Sequence, residues 1–320
     1  MKKFLKQLTL LGLAGAMLFG AVGCSQQPKE VTGEESTQGQ TEQVDKAFPV
    51  TITDSTGTEI TMTQAPERIV SLAPSTTEIL GALGVTDKLV GRTRYCDFPT
   101  EALAAEEVGG TSDPNIETIV ALNPDLVVAS THVSDEVINK LREINIPVAF
   151  LNEQEDFDGT YSAIENIGLL VGRSKEAEAV VSEMKETVES VVERINNLEE
   201  DEVKPRVYYA VWAGDSDSTA GGDTFIGQMI ELAGGDNIAK DVEGWSISKE
   251  KIVEGDPDMI IIPAGKGLKE TLMTTDFYKD LPAVQEGHIY EIDDAMISRQ
   301  GPRLAQAFEA LAQIIHPETE

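Results

Sequence analysis

Between positions 50 and 62 apolar and polar residues alternate around Ser55-Thr56-Gly57, a period of two broken by a turn, which predicts a β-hairpin at the start of the fold. Beyond it the pattern changes. Short apolar runs predict strands at 68–73, 88–93, 126–129 and 148–151. Between them, helical spacing predicts helices at 116–122, 135–144 and 163–171. Ser75-Thr76-Thr77-Glu78 reads as a capping box that opens a further helix running to about Leu83.

From Ser174, read as a cap, Val180, Met184, Val188, Val191, Ile195 and Leu198 recur at spacings of four and three. One apolar stripe over so long a helix must lie on something apolar, so this helix is expected to be a strut packed across two bodies. After the polar break 199–204 the alternation restarts, with strands expected at 207–212, 259–262 and 289–292 and helices at 248–253, 303–315 and from Phe225. Strands alternating with helices imply parallel sheets covered on both faces.

Two segments repeat. In 115–128 and 248–261 the acids Glu117 and Glu250 are followed by Ile-Val and then by Pro-Asp, at Pro124-Asp125 and Pro257-Asp258, before a buried-strand run. Residues 77–84 and 226–234 likewise both read as a short helix closed by glycine. The reading is an α/β protein of two pseudo-symmetric lobes with parallel-type sheets, 47–172 and 200–320, joined by one long rigid helix at 173–199. A cleft between such lobes invites a ligand.

The first residues carry Lys2, Lys3 and Lys6, an apolar run over 8–22 and then Gly23-Cys24, the layout of an export signal over 1–23 and too short for a membrane span. Its end resembles the lipobox of bacterial lipoproteins, which implies a lipid on Cys24; an uncleaved anchor helix gives the same topology. Residues 24–46 are too polar to fold and are expected to be a flexible leash. Losing the leader's three lysines takes the net charge from −31 to about −34, which argues against nucleic acid as a partner and leaves membrane attachment to the lipid. With Cys24 lipidated, Cys96 has no partner for an intramolecular disulfide.

Further motifs are 68–78, beginning Arg68-Ile69-Val70-Ser71; Gly91-Arg92-Thr93-Arg94-Tyr95-Cys96-Asp97-Phe98-Pro99; Val108-Gly109-Gly110; Gly234-Gly235-Asp236-Asn237-Ile238-Ala239; and Gly301-Pro302-Arg303. With both Pro-Asp repeats, in this order, the chain resembles the solute-binding lipoproteins of bacterial ABC importers for cobalamin and ferric siderophores, over nearly all of 48–316. The resemblance implies a monomer that binds a small molecule in a shallow cleft with little closure. It also implies an exposed acid on each lobe, Glu117 and Glu250, docking against a dimeric permease served by an ATPase. Two equivalent carboxylates suit a two-fold partner, although each also suits the helix dipole at its position.

The loop at Tyr95 is similar to the cobalamin-binding branch, which implies a cobalt corrinoid as bound ligand and no resident cofactor. A corrin is a broad disc with an amide rim, so it wants aromatic faces and a few hydrogen-bonding groups. The resemblance puts Tyr95, Trp245 and Arg299 on contact positions, with Asp293 or Asp294 as a rim acceptor. Trp245 lies in a polar turn that suits a site better than a core, whereas Trp212 ends a strand and suits either. Ser75 and Thr76 serve as ligand donors or simply as caps. His132 follows a strand end, where it touches the ligand, reaches its cobalt, or is a plain loop residue.

His132, His288 and His316 are far apart in sequence, which argues against a dedicated transition-metal site. Cys96 reads as a small loop residue rather than a soft-metal ligand. The rival ligand is a ferric siderophore or haem, which would use Arg92, Arg94, Arg299 and Arg303. The rival class is a hydrolase or metal chaperone, but G-x-S-x-G, H-E-x-x-H and C-x-x-C are absent, and of the S-x-x-K matches the one at Ser182 lies on the strut helix and the one at Ser246 lacks its companions.

Overall fold

The computed structural model describes residues 48–152, 155–198 and 203–317; the predicted leader, Cys24 and the leash lie outside them. The hairpin is present, with β1 (Val50–Thr53) antiparallel to β2 (Glu59–Met62) and alternate residues turned inward. Asp54, buried in its turn, accepts hydrogen bonds from the backbone of Thr56, Thr58 and Phe150 and pairs with Arg142, tying the hairpin to the first lobe. Burial opposes the charge of Asp54, but the hydroxyl of Thr56 and the backbone N–H groups of Phe150, Thr58 and Thr56 outweigh it and hold its carboxyl below the ordinary range.

The first lobe's sheet comprises β3 (Ile69–Ser71), β4 (Leu89–Arg92), β5 (Glu106–Glu107), β6 (Leu126–Ala129) and β7 (Val148–Phe150), in the order β5-β4-β3-β6-β7 and wholly parallel. Its helices are α1 (Pro74–Ala82), α2 (Ile116–Ala121), α3 (Asp135–Glu143) and α4 (Phe157–Val171). The strut α5 (Ser174–Asn196) follows. The second lobe has β8 (Arg206–Trp212), β9 (Asp217–Thr219), α6 (Phe225–Leu232), β10 (Asp236–Asn237), β11 (Ser246–Ile247), α7 (Lys249–Gly255), β12 (Met259–Pro263), α8 (Leu268–Thr274), α9 (Pro282–Gln285), β13 (Ile289–Ile292), α10 (Asp294–Ile297) and α11 (Leu304–Ile315).

The second sheet keeps its expected strands parallel and adds two antiparallel strands that the sequence pattern did not show. β10, β8, β12 and β13 pair in parallel, but β9 runs antiparallel to β8, and β11 antiparallel to β9. Only four residues separate β8 from β9, too few for the crossover that a parallel pair needs.

Three local expectations also change. Ala73, extended, is the cap of α1 and Pro74 its first helical residue, so Ser75 is already inside the helix and the Ser75–Glu78 capping box does not form. Asp156 opens α4 six residues before the predicted start by accepting from Gly159 N at 2.7 Å. Gly172, at φ 69°, closes α4, and Arg173 rather than Ser174 occupies the cap of α5.

The duplicated Pro-Asp has a structural cause. Asp125 accepts from Arg68 N at 2.9 Å while its own N–H donates to Arg68 O at 2.9 Å, and Asp258 exchanges the same two bonds with Arg206 at 2.8 and 2.9 Å. Each acid latches the start of one central strand to the start of its neighbour. Arg206 also holds the Asp258 carboxyl below its usual range through a side-chain hydrogen bond. Gly84 and Gly234, at φ 71° and 80°, close α1 and α6 in the same left-handed manner.

The strut packs on α4 from one side and on α11 from the other through Ala177, Val181, Met184 and Val191. Phe157 of α4 stands edge-on to Phe225 at 5.2 Å and to Phe308 at 5.4 Å, and the apolar residues of both lobes at this seam form one continuous core.

Candidate functional site

A cleft of about 910 Å³ lies where the loops after β3, β6 and β7 meet the second lobe's 245 turn and the segment after α10. Loops leaving the carboxyl ends of parallel strands are where such sheets present ligands. Tyr95 and Trp245, one from each lobe, both line it and are 55% and 46% exposed.

Both aromatic residues sit on pinned loops. Arg94 N donates to Gly109 O at 2.9 Å, and buried Cys96 places its Sγ 3.1 Å from Thr93 Oγ1, so Tyr95 between them projects outward. Trp245 O accepts from Thr219 N at 2.9 Å, and the preceding Gly244, at φ 72°, is held by Asp223 at 2.7 Å. The rim carries hydroxyl and amide groups from Ser75, Ser112, Ser130, Thr131, Asn152 and Gln300.

Arg299 lines the cleft, but its guanidinium is already engaged. Its Nη1 contacts Glu78 at 2.9 Å and Asp97 at 2.7 Å, and its Nη2 reaches Tyr95 O at 3.4 Å. Arg303 grips the same Glu78 with two bonds of 2.9 and 2.7 Å and stacks 4.0 Å over the Phe98 ring. Two guanidiniums therefore face two carboxylates across the seam, with no charge left over. The hydrogen bond and charge of Arg299 hold Asp97 below the usual carboxylate range, and the bond to Glu78 pushes Arg303 up.

Other expected contact residues are placed differently. Thr76 lines the cleft, but it is buried and its hydroxyl bonds Ser71 at 2.7 Å and Ala73 O at 3.0 Å. His132, at φ 74°, is in the lining. Trp212 is not: it stands 54% exposed at the end of β8, outside the cleft. Asp293 and Asp294 are outside it too, because Asp293 caps α10 through Met296 N at 3.0 Å and Asp294 pairs with Lys266 at 3.1 Å. The cleft instead receives the far end of that turn, Ile297 to Gln300.

Glu117 and Glu250 occupy the second position of α2 and α7, after side-chain caps by Asn115 and Ser248 at 3.0 and 3.2 Å. Both are exposed and neither joins an ion pair among the described residues. Cleft residues Ser112 and Trp245 each precede their lobe's acid by five positions. Among the described residues no cluster of His, Cys, Asp or Glu could hold a metal ion, and no helix is long and apolar enough to cross a membrane.

Residues 69–296 match a family model described as periplasmic binding protein. The chain belongs to the periplasmic binding protein family. Within this family it is 34% identical, over 96% of this chain and 98% of the relative, to an uncharacterized ABC transporter substrate-binding lipoprotein of Bacillus subtilis. It is 32% identical, over 85% of this chain and 76% of the relative, to a cobalamin-binding protein of Halobacterium salinarum. A solved structure from Staphylococcus epidermidis, described as a possible iron-binding (periplasmic solute-binding) protein, superposes with a TM-score of 0.68 at 30% identity, over 79% of this chain and all of that one. Members of the family bind substrates for ABC transporters and are not enzymes, so this chain supplies affinity and leaves transport to a permease and its ATPase.

Proposed function

We propose that this protein is the extracytoplasmic, lipid-anchored receptor of an ABC importer and that its solute is cobalamin or another corrinoid, held between the lobes. The observation that carries the ligand assignment is the pairing of Tyr95 and Trp245, half-exposed aromatic residues from opposite lobes in one cleft. Exposed rings flanked by hydroxyl and amide groups match a flat apolar disc with an amide rim. At about 910 Å³ the space suits a large organic ligand rather than a bare ion.

The charge of the site favours the corrinoid over its rivals. Ferric siderophores and haem bring anionic oxygens and are best met by free guanidiniums. Here Arg299 is neutralised by Glu78 and Asp97, and Arg92, Arg94 and Arg303 are outside the lining. In this reading 1–23 is a removed leader, Cys24 carries the lipid, 24–46 is a leash, and lobes 47–172 and 200–320 joined by 173–199 form a monomeric receptor. Glu117 and Glu250 dock against cations on a two-fold permease.

The deciding experiment is calorimetric titration of the purified protein with cyanocobalamin, cobinamide and ferric siderophores, beside a Trp245→Ala variant. Tight corrinoid binding weakened by the substitution is the expected result. A signal from a ferric siderophore alone would move the ligand to that class and keep the transport role.

A further inference from the structure

The two acids are not the only exposed residues that the lobes hold in common. α2 and α7 share one burial pattern: a half-buried first residue, an exposed acid, a half-buried third, a buried isoleucine, then an exposed valine. Elsewhere the helices differ, with Ile116 against Lys249, Thr118 against Lys251 and Ala121 against Glu254. Packing explains the isoleucines, because Ile119 and Ile252 are 0% exposed. It does not explain Val120 and Val253, which are 42% and 56% exposed.

A β-branched residue is a poor choice for an exposed helix position on propensity alone. One exposed valine needs no account. The same residue at the same place in two lobes, three positions after an exposed acid and so on the acid's face of the helix, does need one.

We infer that each lobe docks through a two-part surface, an acid beside an exposed valine, and that the partner offers, twice and in two-fold relation, a cation next to an apolar surface. The inference rests on the reading of Glu117 and Glu250 as docking acids. The division of labour follows from the physics. Exposed ion pairs steer and orient but add little affinity in water, whereas apolar surface removed from water at the centre of a contact adds most of it. Acids alone would leave the complex weak and salt-sensitive.

The test uses the full chain and its cognate permease–ATPase complex reconstituted in proteoliposomes, with docking affinity as the readout. The V120S/V253S double variant is expected to dock about tenfold more weakly or worse, with an unchanged unfolding midpoint. V120I/V253I, which keeps the apolar surface, should dock like the parent chain. E117K/E250K separates the two readings. If charge reversal abolishes docking while V120S/V253S stays within about twofold, the valines are incidental and the acids stand alone. If charge reversal leaves docking intact, the docking surface lies elsewhere and both readings fall.

Discussion

Glu78 of α1 and Arg303 at the start of α11 are 225 residues apart in sequence and meet as a two-bond ion pair across the seam, with the Glu78 side chain 2% exposed. Removing one partner of a buried pair leaves the other uncompensated, so Glu78→Ala is expected to cost about 3–5 kcal/mol of stability. Urea unfolding of the variant measures it. A loss below about 1 kcal/mol would mean that Arg299 and Arg303 relax into solvent and that the clamp holds nothing together.

Asp54 contributes to the pH dependence, beside Asp97 and Asp258. Its folded pKa is depressed, so its contribution is fully present above the ordinary carboxylate value and disappears as pH falls through the folded value. Asp54→Asn should therefore be less stable than the parent chain at pH 7, with the gap closing in the acid range below about pH 4. Unfolding midpoints taken from pH 2 to 7 check this, and a gap that stays constant would show that the carboxylate's charge is not the cause.

Tyr95 and Trp245 are half-exposed, so truncating either should leave the unfolding midpoint almost unchanged. Each alanine variant is expected to weaken corrinoid binding by roughly tenfold or more, from the loss of one stacking face. Titration with cyanocobalamin reads the effect, and an equal loss of stability would mark the ring as structural.

Charge reversal at Glu117 and Glu250 together should abolish uptake and leave cyanocobalamin affinity as it was, since neither acid lines the cleft. Uptake assays and calorimetry on the same double variant separate the two quantities. A fall in ligand affinity would make these acids part of the fold.

The Pro-Asp latches predict a paired result. Asp125→Ala and Asp258→Ala each strip an acceptor from an N–H at or just before a strand's first residue, and each should cost about 1–3 kcal/mol, additively because the sites are in different lobes. Equilibrium unfolding of the single and double variants decides it.

Much of this architecture was legible along the chain because it rests on local period. The hairpin, the strut stripe and β13, found at its expected bounds, are such cases. What failed was local pattern overruled by neighbours. Ser75-Thr76-Thr77-Glu78 spells a capping box, yet Pro74 moves the helix start and Glu78 turns to arginines more than 200 residues away. β9 and β11, three and two residues long, carry no period to read. Tyr95, Trp245 and Arg299, which line the cleft, were singled out through the family resemblance. The hydroxyl rim at Ser112, Ser130 and Thr131 gave no pattern beyond standing after predicted strands or before a repeat.

Phe157, wedged between Phe225 and Phe308, also bears on kinetics. A seam filled by a shared core opposes folding of one lobe over the other, so capture is expected to proceed without a slow second step. The observed association rate should then rise linearly with ligand concentration and never level off.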